Sequence, residues 1–260
     1  FRGALFKTLF TLLLCNLFAN AVIFNCAYSF FNWDIRGIVG SIYTCRATVI
    51  FTGNDSFLEG LRGYHISGKG NFDVEALEVA DQYLPVIPKG IAIFFPRLIL
   101  LRWHNTSMTT ISAEDLRPFS GLRIIALRNL NLMNIDSDLF RYTPRLEYIN
   151  FQNNSISNVD SNAFNHLSLL FELNFSFNSC INAWAVNRSG VLELLSKLAL
   201  SCPPLPKIPP STTPSPIDIC ELSCFEDLRQ KNDDLTMLVK ENVDRISVLE
   251  KIVREINSQP

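Results

Sequence analysis

The sequence has little of what enzymes use to build a catalytic centre. Only three of its 260 residues are histidines, and His65, His104 and His166 lie far apart along the chain. There is no G-x-S-x-G nucleophile elbow, no glycine-rich phosphate loop and no metal-binding spacing of cysteines and histidines. These absences argue against an enzyme, and the sequence predicts neither a cofactor nor a bound metal.

Concentrated positive charge and long apolar runs are also missing. Lysine and arginine number 23 against 25 acidic residues, which gives a net charge of −2, and no stretch is strongly basic. Proteins that bind nucleic acid neutralise phosphates with basic clusters, so nucleic acid is a poor candidate partner. Beyond the N-terminal segment no run reaches the roughly 18 apolar residues that a membrane-spanning helix needs, so no membrane span is predicted.

What the chain does contain is a pattern that repeats every 24 residues between residues 74 and 193. Apolar residues recur at repeat positions 1, 4, 6, 11 and 14, and asparagine follows at position 9 in Asn154 and Asn178. Two apolar positions separated by one polar residue predict a short strand, and an asparagine side chain can bond to a turning backbone. Each repeat is therefore expected to form one coil, a strand followed by a return arc. Positions 4 and 6 are Leu77 and Val79, Leu101 and Trp103, Ile125 and Leu127, Ile149 and Phe151, and Leu173 and Phe175.

This spacing resembles the leucine-rich repeat, L-x-x-L-x-L-x-x-N-x-L, in its extracellular length class. The resemblance implies an α/β solenoid, a horseshoe of repeats over residues 74–179. One repeat buries about seven apolar side chains, each of which stabilises it by ~2 kcal/mol. This total is less than the backbone entropy that all the residues of the repeat lose together, at ~1 kcal/mol per residue. The repeats are therefore stable only when stacked. Gln82, Thr106 and Leu130 replace asparagine in the first three repeats, which predicts a less regular turn there.

Residues 1–21 are typical of a secretory signal peptide. Arg2 and Lys7 flank the apolar run 8–18, and Ala19-Asn20-Ala21 provides a small-x-small cleavage site. A transmembrane helix is the alternative interpretation, but the run is shorter than the apolar thickness of a bilayer. We expect a secreted, extracellular protein whose mature chain begins near Val22.

Six cysteines lie outside that segment, an even number that suits disulfide bonding in an oxidising compartment. Cys26 and Cys45 fall in the N-terminal segment 22–73, and Cys180 and Cys202 delimit segment 180–202 after the last repeat. Each pair is expected to tie a cap over one exposed end of the solenoid. Zinc binding is the competing interpretation, but the spacings lack a paired C-x-x-C.

The composition changes after Cys202. Residues 203–219 are rich in proline, which fixes φ and lacks an amide donor, and they predict an extended linker. A proline-rich recognition motif is the alternative. Residues 220–257 follow a heptad pattern that predicts a coiled-coil helix, which would associate with a second copy or a related chain. A helix folded back on the repeats is the alternative. The apolar seam consists of Phe225, Leu228, Leu235, Val239, Ile246, Leu249, Val253 and Ile256.

Cys220 and Cys224 lie at the start of this helix. We predict that they form disulfides between two chains, because such a bond raises the effective concentration of the second helix in a short coil. An internal Cys220–Cys224 bond is the alternative.

The strand register also predicts a binding surface. Repeat positions 3, 5, 7 and 8 are expected on the concave side, where Arg102, His104, Arg128, Tyr148 and Gln152 form a small basic patch. This patch suits an acidic protein or a glycan as the ligand, and a merely solvated sheet is the alternative.

Five N-x-[ST] sequons suit a secreted glycoprotein, and we expect about two to four to be used. Glycans at repeat positions 5 and 8 would stand on or beside the concave side. The sequons are Asn54, Asn105, Asn153, Asn174 and Asn187.

The order of these parts resembles the secreted leucine-rich-repeat immune proteins of mosquitoes and related dipterans. Three segments of the repeats also resemble the repeats of those proteins. They are Asp115-Leu116-Arg117-Pro118-Phe119, Asp138-Leu139-Phe140 and Ala163-Phe164-Asn165-His166-Leu167. The resemblance implies a disulfide-linked dimer that binds a complement-like thioester protein, although this chain has fewer repeats and a shorter coil. We therefore expect a protein-binding module in innate immune recognition. An extracellular matrix or cell-adhesion scaffold is the alternative, and a receptor ectodomain a weaker one.

Overall fold

The structure, a computed structural model, describes residues 22–33, 35, 37–51 and 57–206. The predicted signal peptide, the coiled-coil helix with its seam, and the linker beyond residue 206 lie outside the described residues. So do Asn54, Cys220 and Cys224.

The repeats form a sheet of parallel strands in sequence order, as the spacing predicted. These strands are β4 (Ala76–Gln82), β5 (Leu100–Thr106), β6 (Ile124–Arg128), β8 (Tyr148–Asn150) and β10 (Glu172–Asn174). Each residue lies opposite the residue one repeat later, so Leu77 opposes Leu101 and Ile125 opposes Ile149. The fold is a solenoid of stacked repeats, as the resemblance to leucine-rich repeats implies.

The core lies behind this sheet because positions 4 and 6 point the same way along every strand. All ten side chains at these positions are fully buried. Phe140 and Phe164, from the return arcs, form a cluster with Phe151 and Phe175 in which neighbouring ring centroids lie 5.3 to 6.2 Å apart. Neighbouring coils thus interlock through aromatic rings, which is how the stack buries what one repeat alone leaves exposed.

Short elements make up the return arcs. They are helices α1 (Ile91–Phe94) and α2 (Ala113–Leu116), the 3₁₀ turn Ser161–Phe164, and a second parallel sheet of β7 (Asn134–Ile135) and β9 (Asn158–Val159). Helix α2 begins at a capping box, in which the Asp115 carboxylate accepts from the backbone N–H of Ser112 at 2.8 Å.

The turns after the strands are regular only in the last two repeats. Asn154 Nδ2 donates to the carbonyls of Leu127 and Phe151 at 2.8 and 2.9 Å, and Asn178 repeats this arrangement one coil later. In the first repeat the Gln82 amide instead donates to the carbonyl of Ala47 at 2.9 Å. Thr106 leaves its buried hydroxyl without a partner among the described residues, and Leu130 joins the core.

The N-terminal segment extends the repeat sheet with a hairpin. Strand β1 (Val22–Asn32) pairs antiparallel with β2 (Ser41–Phe51), and β2 pairs parallel with β4. Strand β3 (Leu58–Arg62) lies parallel to β1 at the edge. A disulfide joins Cys26 of β1 to Cys45 of β2. The hairpin therefore occupies the place that a preceding repeat would fill.

The other end is closed by strand β11 (Trp184–Val186), antiparallel to β10, and helix α3 (Asn187–Ser201). In its first turn the Asn187 side-chain oxygen accepts from the backbone N–H of Gly190 at 2.9 Å. Val191, Leu194 and Leu198 are buried at helical spacing. A disulfide joins Cys180 to Cys202 beside them.

Candidate binding surface on the concave side

Part of the concave side is covered by the loop of the N-terminal hairpin. Val39 and Ile42 pack on Ala76, Leu100 and Ile124, which occupy position 3 of the first three repeats. Trp33, Ile35 and Ile38 pack against the same cluster. The hairpin thus covers position 3 of the first three repeats, and Tyr148 at position 3 of the fourth packs against the edge of this cluster. The signal in the sequence is the apolar character of Leu100 and Ile124 at a position expected to face water.

A charge cluster lies beside this cover and is centred on Glu78. Arg46 and Arg102 pair with its carboxylate at 3.0 and 3.1 Å, and His104 Nε2 lies 3.1 Å away. Burial alone raises the pKa of Glu78, but the bond from His104 and the charges of Arg102 and Arg46 outweigh it. The pKa of Glu78 is therefore lowered, and the carboxylate stays ionised near neutral pH.

A cavity of about 150 Å³ opens between the hairpin loop and the sheet. Arg102 and Arg128 provide its charge. The Arg102 guanidinium lies over the Trp33 ring at 5.3 Å, and its pKa is lowered by burial and by the nearby Arg128 while Glu78 opposes the change. The Arg128 Nε atom is buried and has no hydrogen-bond partner among the described residues. The lining comprises Trp33, Ile35, Leu100, Arg102, Ile124, Ala126, Arg128 and Tyr148.

Tyr148 supplies a neutral hydroxyl to this cavity. Asn150 Nδ2 donates to its oxygen at 2.8 Å, so the hydroxyl proton remains available to donate elsewhere. Burial raises the pKa of Tyr148, although the Asn150 bond and the charges of Arg128 and Arg102 act in the opposite direction. The polar groups that line the cavity are therefore donors.

The five residues of the predicted basic patch are divided by the structure. Arg102, Arg128 and Tyr148 line one cavity. His104 instead faces Glu78. Gln152, one repeat beyond Arg128, is half-buried and does not line the cavity, and its backbone N–H donates to Asn150 Oδ1 at 2.9 Å. Trp33 and Ile35 complete the site and were absent from the sequence-based prediction.

Position 8 of the repeats forms a ladder that was not predicted from the sequence. Asp81, Asn105, Asn129 and Asn153 all have φ between 52° and 58°, the left-handed region that asparagine and aspartate tolerate. Each asparagine Nδ2 donates to the side-chain oxygen one repeat earlier, at 2.6, 2.7 and 3.0 Å. The recurrence of Asp or Asn every 24 residues was the available signal.

The sequons differ in their surroundings. Asn105 and Asn153 are exposed in this ladder, and Asn187 is exposed at the start of α3. Asn174 is only 9% exposed, and its side-chain oxygen accepts from the backbone N–H of Ser176 at 2.8 Å.

The described residues contain no cluster of three or more histidine, cysteine or acidic side chains that could hold a metal ion. Within the same residues, no helix combines the length and apolar character needed to cross a membrane.

The comparison with protein families agrees with the repeat fold. The leucine rich repeat family model matches residues 120–179. A solved chain from the structure of the Toll–Spatzle complex, described as a molecular hub in Drosophila development and innate immunity, is 19% identical with a TM-score of 0.39. That match covers 47% of the present chain and 17% of the other. Curated proteins gave no significant match. The parallel sheet, its repeat period and the family match show that this chain contains leucine-rich repeats.

Proposed function

We propose that this chain is a secreted binding protein that recognises another protein on the concave side of its repeat sheet. The observation that carries the proposal is the cavity at Arg102, Arg128 and Tyr148, where donor groups converge on an apolar floor. Leucine-rich repeats are a common scaffold for binding proteins, and their curved sheet offers an extended surface. The two disulfides suit an oxidising, extracellular compartment.

A pair of surface variants tests which side binds. The bound protein is first captured from extracellular fluid of the producing organism on the immobilised full chain, identified and purified. Gln152→Trp places a bulky ring on the concave side, and Asp138→Trp places one on an exposed return arc. We expect the first variant to weaken binding by at least about tenfold and the second to leave it unchanged. Equal affinities for the two variants would refute concave recognition.

Dimerisation is the second part of the proposal. Cys220, Cys224 and the heptad seam support a parallel pair of chains linked by disulfides. The secreted chain should run at twice its monomer mass on a non-reducing gel, and at monomer mass after reduction or in the variant Cys220→Ser/Cys224→Ser. A single monomer band under all conditions would exclude the interchain bond.

The proposed biological role is innate immune recognition, which the order of the sequence segments supports through its resemblance to dipteran immune proteins. Abundance of the protein should rise after infection. Constant expression in cuticle or basement membrane would instead favour an extracellular matrix or adhesion scaffold.

A further inference from the structure

We infer that the concave cavity receives one acidic side chain, an aspartate or glutamate from a loop of the protein ligand. This inference rests on the proposed function and specifies the chemistry by which the concave side recognises its partner. The carboxylate would lie against Arg128 and accept from the Tyr148 hydroxyl.

The size of the cavity favours a single side chain. Its volume of about 150 Å³ corresponds to roughly five waters at their ~30 Å³ share of liquid volume. Sites that enclose a whole small ligand measure roughly 300–1,000 Å³. A protein loop can insert one side chain here and leave the rest of its contacts on the surrounding surface.

The charge of the lining favours an anion. Arg102 shares the Glu78 carboxylate with Arg46, at 3.1 and 3.0 Å, and Arg128 has no ion pair among the described residues. Within the part of the chain that the structure describes, these positive charges therefore exceed the carboxylates that pair with them. A carboxylate supplies one negative charge and accepts from the planar edge of a guanidinium, which is a strong, directional pairing.

The lining also matches a side chain with an apolar stem. Leu100, Ile124 and Ala126 form an apolar floor, and Trp33 and Ile35 contribute from the hairpin loop. Methylene groups of the inserted residue would contact these walls while the carboxylate meets Arg128 and Tyr148. A sulfated sugar has no comparable apolar stem, so the lining favours a protein carboxylate.

Nuclear magnetic resonance of the full chain can test this site directly, because a buried Arg Nε–H exchanges slowly enough to be observed. The Arg128 Nε–H signal is assigned by its loss in Arg128→Met. N-acetyl-glutamate N-methylamide is expected to shift it saturably, and the matched glutamine compound to need about 10- to 100-fold higher concentration, as expected for a charge-assisted hydrogen bond. Arg145→Met, an exposed arginine, is the control and should leave the response unchanged.

Further variants and probes test the same site. Tyr148→Phe should weaken the glutamate response about threefold to tenfold, because one donor is lost. Equal responses to the glutamate and glutamine probes would overturn the inference, and so would a stronger response to inorganic sulfate than to glutamate. Arg128→Lys keeps the positive charge but loses the planar guanidinium that can donate two parallel hydrogen bonds. It should therefore retain only part of the affinity for the glutamate compound.

Failure of this inference can be told apart from failure of the proposed function. If the captured ligand loses affinity with Gln152→Trp but not with Arg128→Met, concave recognition stands and the acidic anchor does not. If neither variant affects the ligand, the proposed function itself fails.

Discussion

The Arg102 guanidinium lies over the indole ring of Trp33, with 5.3 Å between its Cζ atom and the ring centroid, and also pairs with Glu78 at 3.1 Å. Trp33 belongs to the N-terminal hairpin and Arg102 to the second repeat. The contact therefore joins the cap to the repeats across the concave side, where both residues meet the cavity. Arg102 is held by a ring and a carboxylate at once, which limits its freedom to move toward a ligand.

Stability is expected to fall in acid because of Glu78. The pKa of this carboxyl in the folded protein lies below its usual value of 4.5. A depressed folded pKa contributes stability that is fully present above the unfolded pKa and is lost as pH falls through the folded pKa. Urea unfolding at pH 7 and pH 3 should show this loss for the wild type, and Glu78→Gln should show a flatter dependence.

The same variant has an effect at neutral pH. Glu78→Gln leaves Arg46 and Arg102 without their carboxylate and should lower the free energy of unfolding by about 1–3 kcal/mol. Glu59→Gln is the control at pH 7, because Glu59 is exposed and has no ion pair among the described residues, and it should change this energy by less than about 0.5 kcal/mol. If the free energy of unfolding of Glu78→Gln fell between pH 7 and pH 3 by as much as that of the wild type, Glu78 would not be the source of the acid sensitivity.

Removal of one ring from the phenylalanine cluster should destabilise the stack. Phe164 is 1% exposed and contacts Phe140 and Phe175 with centroids 5.6 and 6.2 Å away. Phe164→Ala should cost about 3–5 kcal/mol in the free energy of unfolding, because the lost contacts leave a cavity. Urea unfolding measures this loss, and exposed Phe72 changed to alanine is the control. A loss below about 1 kcal/mol would show that the arcs can collapse around the gap.

The stacked repeats could be predicted because their signal is periodic. Leu77, Leu101 and Ile125 are equivalent, so evidence for one strand supports the next, and the parallel register follows directly from the period. The N-terminal hairpin has no such equivalence. Its β2 strand pairs Thr44 with Ala76, a register that depends on contacts between unlike segments. Local patterning does not define such contacts.

The residues of the candidate site that lie on the repeat strands could also be predicted from the sequence. The strand register indicated that Arg102, Arg128 and Tyr148 share the concave side, and they line one cavity. Trp33 was not anticipated as part of the site because its contact with Arg102 depends on the path of the hairpin loop. The contact of His104 with Glu78, at 3.1 Å between neighbouring strands, was not anticipated either.

Glycan occupancy should follow the exposure of the sequons. Asn105 and Asn153 each use one hydrogen of Nδ2 in the ladder, and the second hydrogen is the one that a glycan replaces. Asn174 is 9% exposed within the sheet, so a sugar there would displace its neighbours. Mass spectrometry of the secreted protein should find glycans at Asn105, Asn153 and Asn187 and an unmodified Asn174. A fully occupied Asn174 would contradict the register of the last strand.

The ladder at position 8 ends at Phe177, an exposed residue with φ of 58°. The left-handed conformation costs most residues about 1–2 kcal/mol, and asparagine tolerates it better. Phe177→Asn should therefore raise the free energy of unfolding by about 1 kcal/mol, and its amide would continue the ladder toward Asn153. Phe177→Ala removes the same ring without adding a polar group and should show no gain. Equal gains from both variants in urea unfolding would assign the effect to loss of the ring, and a decrease in Phe177→Asn would show that the ring is held by contacts worth more than the backbone strain.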